Sequence, residues 1–287
     1  AHLTLVKNVV NDDGGTATVA DFPLSADGPV PFTGVSGTDE VTSVAVAAGS
    51  YELTEEALAG GYAAGEWVCT GDGEQNGSSI ALALGENATC TITNDDIAPT
   101  LTLNKVVRNE HGGTLDIGGV TLTAALTERD TDAVQLNGTD PSVSEDIGLS
   151  GTVPAGSYVL TESEHAGYAA SAWVCSNGSD EFELEGGLLE LGLDEDIVCT
   201  ITNTDQAPTL TLNKVIVNDD GGTLTLDQVE LTATDGENTL TGNDPSAEGE
   251  GLTGELPAGT YTLSESPTPG YAASDWTCTG NAAPLDG

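Results

Sequence analysis

Apolar and polar residues alternate in many short stretches of the chain, and this period of two is typical of half-buried β-strands. In the first stretch Leu3, Leu5 and Lys7 are spaced two residues apart, so they lie on the same face of the predicted strand. Turn-forming residues separate the stretches, for example residues 11–15 (Asn-Asp-Asp-Gly-Gly) and residues 154–156 (Pro-Ala-Gly). No stretch shows a sustained helical period. The pattern therefore predicts a protein built from short β-strands.

The sequence repeats itself three times. Each copy opens with a Leu-Thr-Leu strand that carries a lysine (Lys7, Lys105 or Lys214), and a Gly-Gly pair follows within a few residues. All lysines, tryptophans and tyrosines of the chain occupy equivalent places in their copies. The repeats predict three domains, at residues 1–98, 99–207 and 208–287. We expect the third to be incomplete, because the chain stops before a closing strand.

The length and pattern of each copy favour one fold class. About 100 residues of short alternating strands predict an all-β fold of tandem antiparallel β-sandwiches. We expect the copies to follow one another end to end. The joints, at residues 94–99 and 203–208, are short and contain a proline that restricts the backbone, so they should be semi-rigid.

The charge of the chain excludes one large class of partners. Its 287 residues include 5 Lys+Arg and 47 Asp+Glu, which gives a net charge of −42. We expect no nucleic-acid partner, because there is no basic patch to meet phosphates. The longest apolar runs are short, strand-like pieces, so the sequence predicts neither a membrane span nor a targeting segment.

Four of the five cysteines form two similarly spaced pairs, Cys69 with Cys90 and Cys175 with Cys199. In a glycine-rich β sequence these pairs indicate disulfides, and hence an extracellular or cell-surface location. Metal binding is the alternative, but the spacing matches no zinc pattern and no histidine recurs in phase. Cys278 has no partner in the sequence.

Three kinds of polar residue are predicted on the apolar face of their strands: a lysine, a glutamate and an asparagine. The lysine follows two leucines, the glutamate ends a Tyr-x-Leu-x-Glu segment, and the asparagine ends Cys-Thr-Ile-Thr-Asn. The sets are Lys7, Glu55 and Asn94 in the first copy, Lys105, Glu162 and Asn203 in the second, and Lys214 and Glu265 in the third. Since an unpaired ammonium is costly to bury, these side chains should meet in the core.

Two interpretations of these sets remain open. One is a buried Lys–Glu ion pair with the asparagine as a hydrogen-bonding neighbour. The other is an amide cross-link between the lysine Nζ and the asparagine Cγ. It needs a neutral lysine and a protonated carboxyl, and apolar surroundings favour both. The glutamate would then polarise the asparagine carbonyl and shuttle protons while ammonia leaves.

The same residues resemble the Cna B-type, or SpaA-like, prealbumin-fold repeats of bacterial surface proteins and pili. The matching pieces are the lysine of the opening strand, the Ala-Gly-Ser/Thr-Tyr segment that ends in glutamate, the following Gly-Tyr and the closing Ile-Thr-Asn. The resemblance implies self-generated isopeptide bonds, from Lys7 to Asn94 and from Lys105 to Asn203, with the glutamates as catalysts. The cysteine pair in each complete copy departs from the best-known members of that family.

Acidic turns at residues 11–13, 94–96 and 218–220 offer oxygen ligands for Ca²⁺ where domains meet. No complete calcium-loop motif is present, and Asn, Asp and Gly suit tight turns without any ion. We therefore expect ordinary turns here and no required cofactor.

These observations favour a structural or adhesive protein over an enzyme. The sequence has no Ser-His-Asp or Cys-His arrangement and no phosphate-binding glycine loop, so we expect no enzyme that acts on an external substrate. It predicts a structural repeat protein of an extracellular filament, pilus-like fibre or surface stalk, whose partners are further repeats of the same array or copies of itself. The alternative is a cell-surface adhesin that binds carbohydrate or protein through its loops. Its aromatic candidates are the unshared Phe22, Phe32 and Phe182.

Overall fold

The computed structural model describes residues 1–56, 60–127, 134–141, 148–245 and 250–280. They form two compact units. The first comprises Ala1–Val106, Asp116–Glu164 and Ser171–Thr202, and the second comprises Val107–Leu115, His165–Ala170 and Asn203–Gly287. We call the three predicted domains repeats 1, 2 and 3. Residues 281–287, at the end of repeat 3, lie outside the described residues.

Repeat 1 begins with the predicted opening strand, β1 (His2–Val10), and ends with the predicted closing strand, β10 (Asn87–Asp96). Between them lie β2 (Leu24–Asp27), β3 (Phe32–Gly34), β4 (Val44–Ala45), β5 (Gly49–Glu55), β6 (Tyr62–Ala64), β7 (Val68–Gly71), β8 (Glu74–Asn76) and β9 (Ser79–Leu82). A short 3-10 helix spans Val19–Asp21.

Repeat 2 follows the same order of strands. They are β11 (Thr100–Arg108), β12 (Thr121–Leu126), β13 (Val134–Thr139), β14 (Leu149–Thr152), β15 (Gly156–Glu162), β16 (Tyr168–Ala170), β17 (Val174–Ser176), β18 (Glu181–Glu183), β19 (Leu188–Leu191) and β20 (Asp196–Asp205). Two 3-10 helices span Ile117–Gly119 and Glu185–Gly187.

The described part of repeat 3 contains β21 (Thr209–Leu212), β22 (Glu230–Thr234), β23 (Thr239–Asn243), β24 (Leu252–Glu255) and β25 (Thr262–Glu265). A 3-10 helix spans Leu226–Gln228. Only 3-10 helices occur among the residues that the structure describes, and none of them has the length or apolar character of a membrane-crossing helix.

Repeat 1 is a sandwich of two sheets, as the alternating pattern predicted. One sheet has the order β4-β1-β10-β6, with β7 also paired to β10, and the other has the order β3-β2-β5-β9-β8. Their inward side chains form one core, which includes Leu3, Leu5, Tyr51, Leu53 and Ile92. Because alternate residues of each strand enter this core, the buried positions follow the period of two.

Repeats 2 and 3 use equivalent sheets. In repeat 2 the orders are β14-β11-β20-β17-β18, with β16 also paired to β20, and β13-β12-β15-β19. In repeat 3 they are β21-β24 and β23-β22-β25. The all-β sandwich prediction is therefore confirmed for the described residues.

The pairing of the opening and closing strands of repeat 1 departs from the antiparallel arrangement that the sequence predicted. β1 and β10 pair in parallel along their whole length, from His2 opposite Asn87 to Val10 opposite Asp95. Parallel neighbours require a crossover, and here the chain passes through the second sheet between the two strands. The opening and closing strands of repeat 1 are thus direct neighbours with the same direction.

Repeat 3 also differs from the prediction. Its opening strand β21 ends at Leu212, and Val215 is 80% exposed. Trp276 is 38% exposed, whereas its counterparts Trp67 and Trp173 are buried. The described part of repeat 3 contains no counterpart of β10 or β20. Without that strand, neither the second half of the opening strand nor the tryptophan segment has a neighbour to pair with.

Candidate functional site

The lysine of β1 meets the glutamate of β5 inside repeat 1. Lys7 Nζ donates a hydrogen bond to Glu55 Oε2 over 2.6 Å, and the Lys7 side chain is fully buried. The Nζ atom also lies 4.8 Å from the centroid of the Phe22 ring. The ammonium is therefore held between a carboxylate and an aromatic face, both of which favour its charge.

Burial works against that charge. Desolvation lowers the pKa of Lys7, and the hydrogen bond and charge of Glu55 only partly offset it. The pKa of Lys105 in repeat 2 is lowered for the same reason, again opposed by its glutamate. Each amine is thus closer to its neutral, nucleophilic form than an exposed lysine would be.

Asn94 of the closing strand is the third predicted member of the set. It is buried on the same face of β10 as Cys90 and Ile92. In the parallel register it lies opposite Val9, and Lys7 lies opposite Ile92. Its Oδ1 atom has no hydrogen-bond partner among the described residues. A buried carbonyl without a donor is unfavourable, so this oxygen is available to accept a proton or to be polarised.

The other repeats place their predicted residues as follows. In repeat 2, Lys105 Nζ lies 2.7 Å from Glu162 Oε2 and 3.5 Å from the carbonyl oxygen of Ile201. Asn203, which belongs to the second unit, is buried, and its Oδ1 has no partner among the described residues. In repeat 3, Lys214 pairs with Glu265, but the two side chains remain 18% and 17% exposed.

A buried carboxylate that the sequence did not predict lies near two of these lysines. Asp140 Oδ2 accepts the backbone N–H of Lys105, and Asp244 Oδ2 accepts that of Lys214, each over 2.8 Å. The hydroxyl of Ser36 takes this place in repeat 1. The available signal was an Asp-Pro pair that recurs in phase in repeats 2 and 3.

One cysteine of each pair lies on the same strand as a predicted asparagine, Cys90 with Asn94 on β10 and Cys199 with Asn203 on β20. Cys69 of β7 and Cys90 of β10 are directly opposite each other and form a disulfide, and Cys175 and Cys199 do the same on β17 and β20. In the chain-entropy model each disulfide should raise the free energy of unfolding by about 3 kcal/mol. Cys278 is exposed and free. Both closing strands are therefore covalently tied to the preceding tryptophan segment.

A second buried polar network fixes the turn after the opening strand. The Asp96 carboxylate, at the end of β10, accepts the backbone N–H groups of Asp12, Asp13 and Gly15 over distances of 2.6 to 3.1 Å. The Tyr62 hydroxyl closes the far side of the turn by accepting the N–H of Ala17. The end of the closing strand therefore determines the conformation of the turn that follows the opening strand.

Asp205 repeats this arrangement within the second unit. It accepts the N–H groups of Glu110, His111 and Gly113, each over 2.7 Å. Burial raises the pKa of Asp205, but the three backbone donors and the nearby His111 outweigh it, so the net pKa is lowered. A carboxylate held by converging backbone N–H groups in this way remains ionised.

The contacts of Asp96 argue against a Ca²⁺ site at this turn. Asp12, Asp13 and Asp96 bring three carboxylates together. Residues 94–96 form the end of β10 and not the turn that the sequence predicted. However, the oxygens of Asp96 already accept three backbone N–H groups, whose positive ends point to where a cation would sit. This donor set suits a carboxylate as the bound anion, and it fits Ca²⁺ poorly.

The sequence matches one protein family over almost its whole length. The SpaA_2 prealbumin-like fold domain matches three times, at residues 1–92, 96–201 and 205–286. No curated protein matches the chain.

Solved structures with a similar fold include the Bacillus anthracis TIE protein, at 18% identity and a TM-score of 0.53. That match covers 96% of this chain and 47% of the TIE protein, so the chain spans about half of its length. The major pilin T-13 of Streptococcus pyogenes matches at 13% identity and a TM-score of 0.32, covering 71% of this chain and 97% of the pilin. The pilus adhesin SpaC of Lactobacillus rhamnosus GG matches at 14% identity and a TM-score of 0.30, covering 94% of this chain and 37% of the adhesin.

Proposed function

This chain belongs to the family of SpaA_2 prealbumin-like fold domains, and we propose that it is a load-bearing segment of an extracellular filament, pilus-like fibre or surface stalk. The observation that carries the proposal is the parallel pairing of β1 with β10. A pull on the start of β1 and the end of β10 acts along both strands in opposite directions. It therefore loads all their evenly spaced hydrogen bonds together and does not peel them apart one by one.

The buried polar set supports a covalent reinforcement of this strand pair. We propose that Lys7 and Asn94 form an isopeptide bond, with Glu55 as the proton shuttle, and that Lys105, Asn203 and Glu162 do the same. The lysine Nζ attacks the asparagine Cγ, the C–N bond to the side-chain amide breaks, and ammonia leaves with the proton that the glutamate transfers. The lowered lysine pKa and the unpartnered Asn94 Oδ1 favour this step.

Single-molecule pulling tests the load-bearing role. If the cross-links form, we expect repeats 1 and 2 to release no chain between their lysine and asparagine, because tension passes through the isopeptide bond. Glu55→Gln under reducing conditions should release the segment between Lys7 and Asn94, about 300 Å of extended chain. If repeats 1 and 2 open at forces as low as repeat 3, the load-bearing proposal is wrong.

Intact mass spectrometry tests the bond itself. Each isopeptide should lower the mass of the reduced, denatured chain by about 17 Da, the mass of ammonia. We expect Glu55→Gln to restore one such loss, because glutamine cannot shuttle the proton. Glu52→Gln is the matched control, since Glu52 lies on the same strand but faces solvent. A reduced wild type with its full calculated mass would leave the strand pair without the covalent bond.

The remaining features agree with a structural role. The two disulfides favour an extracellular or surface location. We infer no turnover of external substrates, because the reacting groups of the proposed bond are buried and are consumed once. The adhesin alternative needs exposed aromatic side chains, but Phe22 lies in the interior beside Lys7 and Phe32 is half-buried, which leaves Phe182 as the exposed member.

A further inference from the structure

Repeats 1 and 2 differ at one edge of a sheet. In repeat 1 the strand β8 covers the edge of β9, with Glu74 opposite Ala81 and Asn76 opposite Ser79. In repeat 2 the strand at the same place in the chain, β18, joins the other sheet of the sandwich and pairs with β17. β19, the counterpart of β9, is therefore the last strand of its sheet among the residues that the structure describes.

One side chain of repeat 1 accounts for this difference. The amide of Gln75 on β8 donates to the Trp67 carbonyl over 2.6 Å and accepts the backbone N–H of Cys69 over 2.8 Å. It satisfies the edge of β7 while β8 itself pairs with β9. In repeat 2 the backbone of the β18 segment takes over this task, since the N–H of Leu184 donates to the Trp173 carbonyl over 2.9 Å. The segment thus closes the edge of one sheet, and β19 on the other sheet stays open.

The backbone of β19 presents hydrogen-bonding groups at this open edge. Leu189 lies opposite Tyr158 of β15, whose backbone groups face β19 because the carbonyl of the preceding Ser157 is bonded on the β12 side. Backbone groups alternate in direction along an antiparallel strand. Those of Leu188 and Glu190 therefore point away from β15, to the open edge, as the edge of a sheet that can accept a further strand does.

The side chains beside this edge are apolar where those of repeat 1 are polar. On the solvent face of the sheet, Leu188, Val159 and Ala125 stand opposite one another in a row across three strands. Leu188 is 60% exposed. An apolar row beside an open edge is typical of a surface on which a further strand docks. The same row in repeat 1 consists of Ser79, Glu52 and Asp27.

The charges around β19 select its partner. Residues 171–202 include eight acidic residues and no Lys or Arg. Glu190 is exposed on the solvent face, two residues from Leu188. A second copy of the chain, with its net charge of −42, would be repelled, whereas a segment that carries a basic residue would be attracted.

We propose that β19 is the docking site for an extended, basic segment of a different protein, which adds to the sheet as β8 does in repeat 1. In the antiparallel register of β8 and β9 the segment has the order basic, apolar, apolar, with these residues opposite Glu190, Leu189 and Leu188. The middle side chain points inward, to the face of β18 that holds Phe182, which is 38% exposed. The partner binds on the sheet that contains neither the opening nor the closing strand, so it leaves the proposed load-bearing pair untouched.

Fluorescence anisotropy of a labelled peptide, Gly-Thr-Lys-Val-Val-Thr-Gly, tests the site on the full chain, with Cys278→Ser in every variant so that copies do not cross-link. Binding should weaken as salt rises, because salt screens the attraction of the lysine to Glu190. Leu188→Asp should weaken binding roughly tenfold, since it replaces the apolar contact with a charge. Val68→Asp is the matched control and should leave binding unchanged, because Val68 is also 60% exposed but lies in repeat 1.

Two N-methylated peptides test the strand pairing itself. The Leu188 N–H already donates to the Glu185 carbonyl, so the docked backbone pairs chiefly with Glu190. A methyl group on the lysine amide removes the N–H that donates to the Glu190 carbonyl and should weaken binding roughly tenfold or more. A methyl group on the amide of the first valine, which faces away from β19, should leave binding unchanged. Equal binding of the two methylated peptides would overturn strand addition, as would the absence of binding by the unmethylated peptide.

A second copy of this chain is the competing occupant of β19, and sedimentation velocity distinguishes it. We expect the wild type and Leu188→Asp to sediment alike. If the wild type forms dimers that Leu188→Asp abolishes and the peptide does not bind, β19 pairs with its own copy and the proposal is wrong. Equal peptide binding by Leu188→Asp and Val68→Asp would also contradict it. None of these results affects the single-molecule test of load bearing.

Discussion

Glu55→Ala is expected to lower the free energy of unfolding of repeat 1 by about 3–5 kcal/mol. The Lys7 side chain is fully buried, and its Nζ donates to the Glu55 carboxylate over 2.6 Å. Alanine leaves the amine in the core without that partner and removes the proposed catalyst of the cross-link. Denaturation followed by the fluorescence of Trp67 measures the loss for repeat 1 alone when Trp173 and Trp276 are replaced by phenylalanine.

Two comparisons make this prediction specific. Glu52→Ala, on the solvent face of the same strand, should lower the free energy of unfolding by about 1 kcal/mol or less, because it loses only the exposed hydrogen bonds from the Ser78 and Ser79 hydroxyls. Glu265→Ala in repeat 3 should cost about 1 kcal/mol or less, because the Lys214–Glu265 pair is partly hydrated. If Glu55→Ala costs no more than Glu265→Ala, burial does not govern the strength of the pair.

Strand parity made much of the fold predictable from the sequence. Alternation is a local property, so the face that each residue of β1, β5 and β10 presents follows from its neighbours in the chain. The repeats then supplied the domain pattern, and the in-phase cysteines supplied the two disulfides that the structure contains. Whether the lysines and asparagines are covalently joined stays a prediction, because parity brings groups to one core without fixing their chemistry.

What the sequence left unpredicted depends on contacts between distant residues. The parallel pairing of β1 with β10 follows from the path of the chain through the second sheet, which no local pattern records. The exposure of Trp276 follows from the lack of a neighbouring strand among the described residues of repeat 3, and not from its own position in the repeat. Asp96 is the residue whose role the sequence predicted least well. The sequence predicted an ordinary turn at residues 94–96, but Asp96 ends β10 and is a buried acceptor for the turn that follows β1.

That role gives Asp96 a large expected effect on stability. Asp96→Ala should lower the free energy of unfolding of repeat 1 by about 4.5 kcal/mol, since it removes three hydrogen bonds to a charged group, each of which contributes at least about 1.5 kcal/mol. The N–H groups of Asp12, Asp13 and Gly15 converge on this one carboxylate, which is 4% exposed. The same Trp67 fluorescence measurement reports the change.

Asp95→Ala is the matched control, because Asp95 precedes Asp96 on β10 but faces solvent. It should leave the free energy of unfolding nearly unchanged, whereas Asp96→Asn should fall between the two, since the amide keeps one acceptor oxygen. Asp96→Ala should also speed exchange of the Ala155 amide, because the Asp13 carbonyl that accepts it sits in the turn that Asp96 holds. Equal losses for Asp95→Ala and Asp96→Ala would mean that the turn, and the joint built on it, form without this carboxylate.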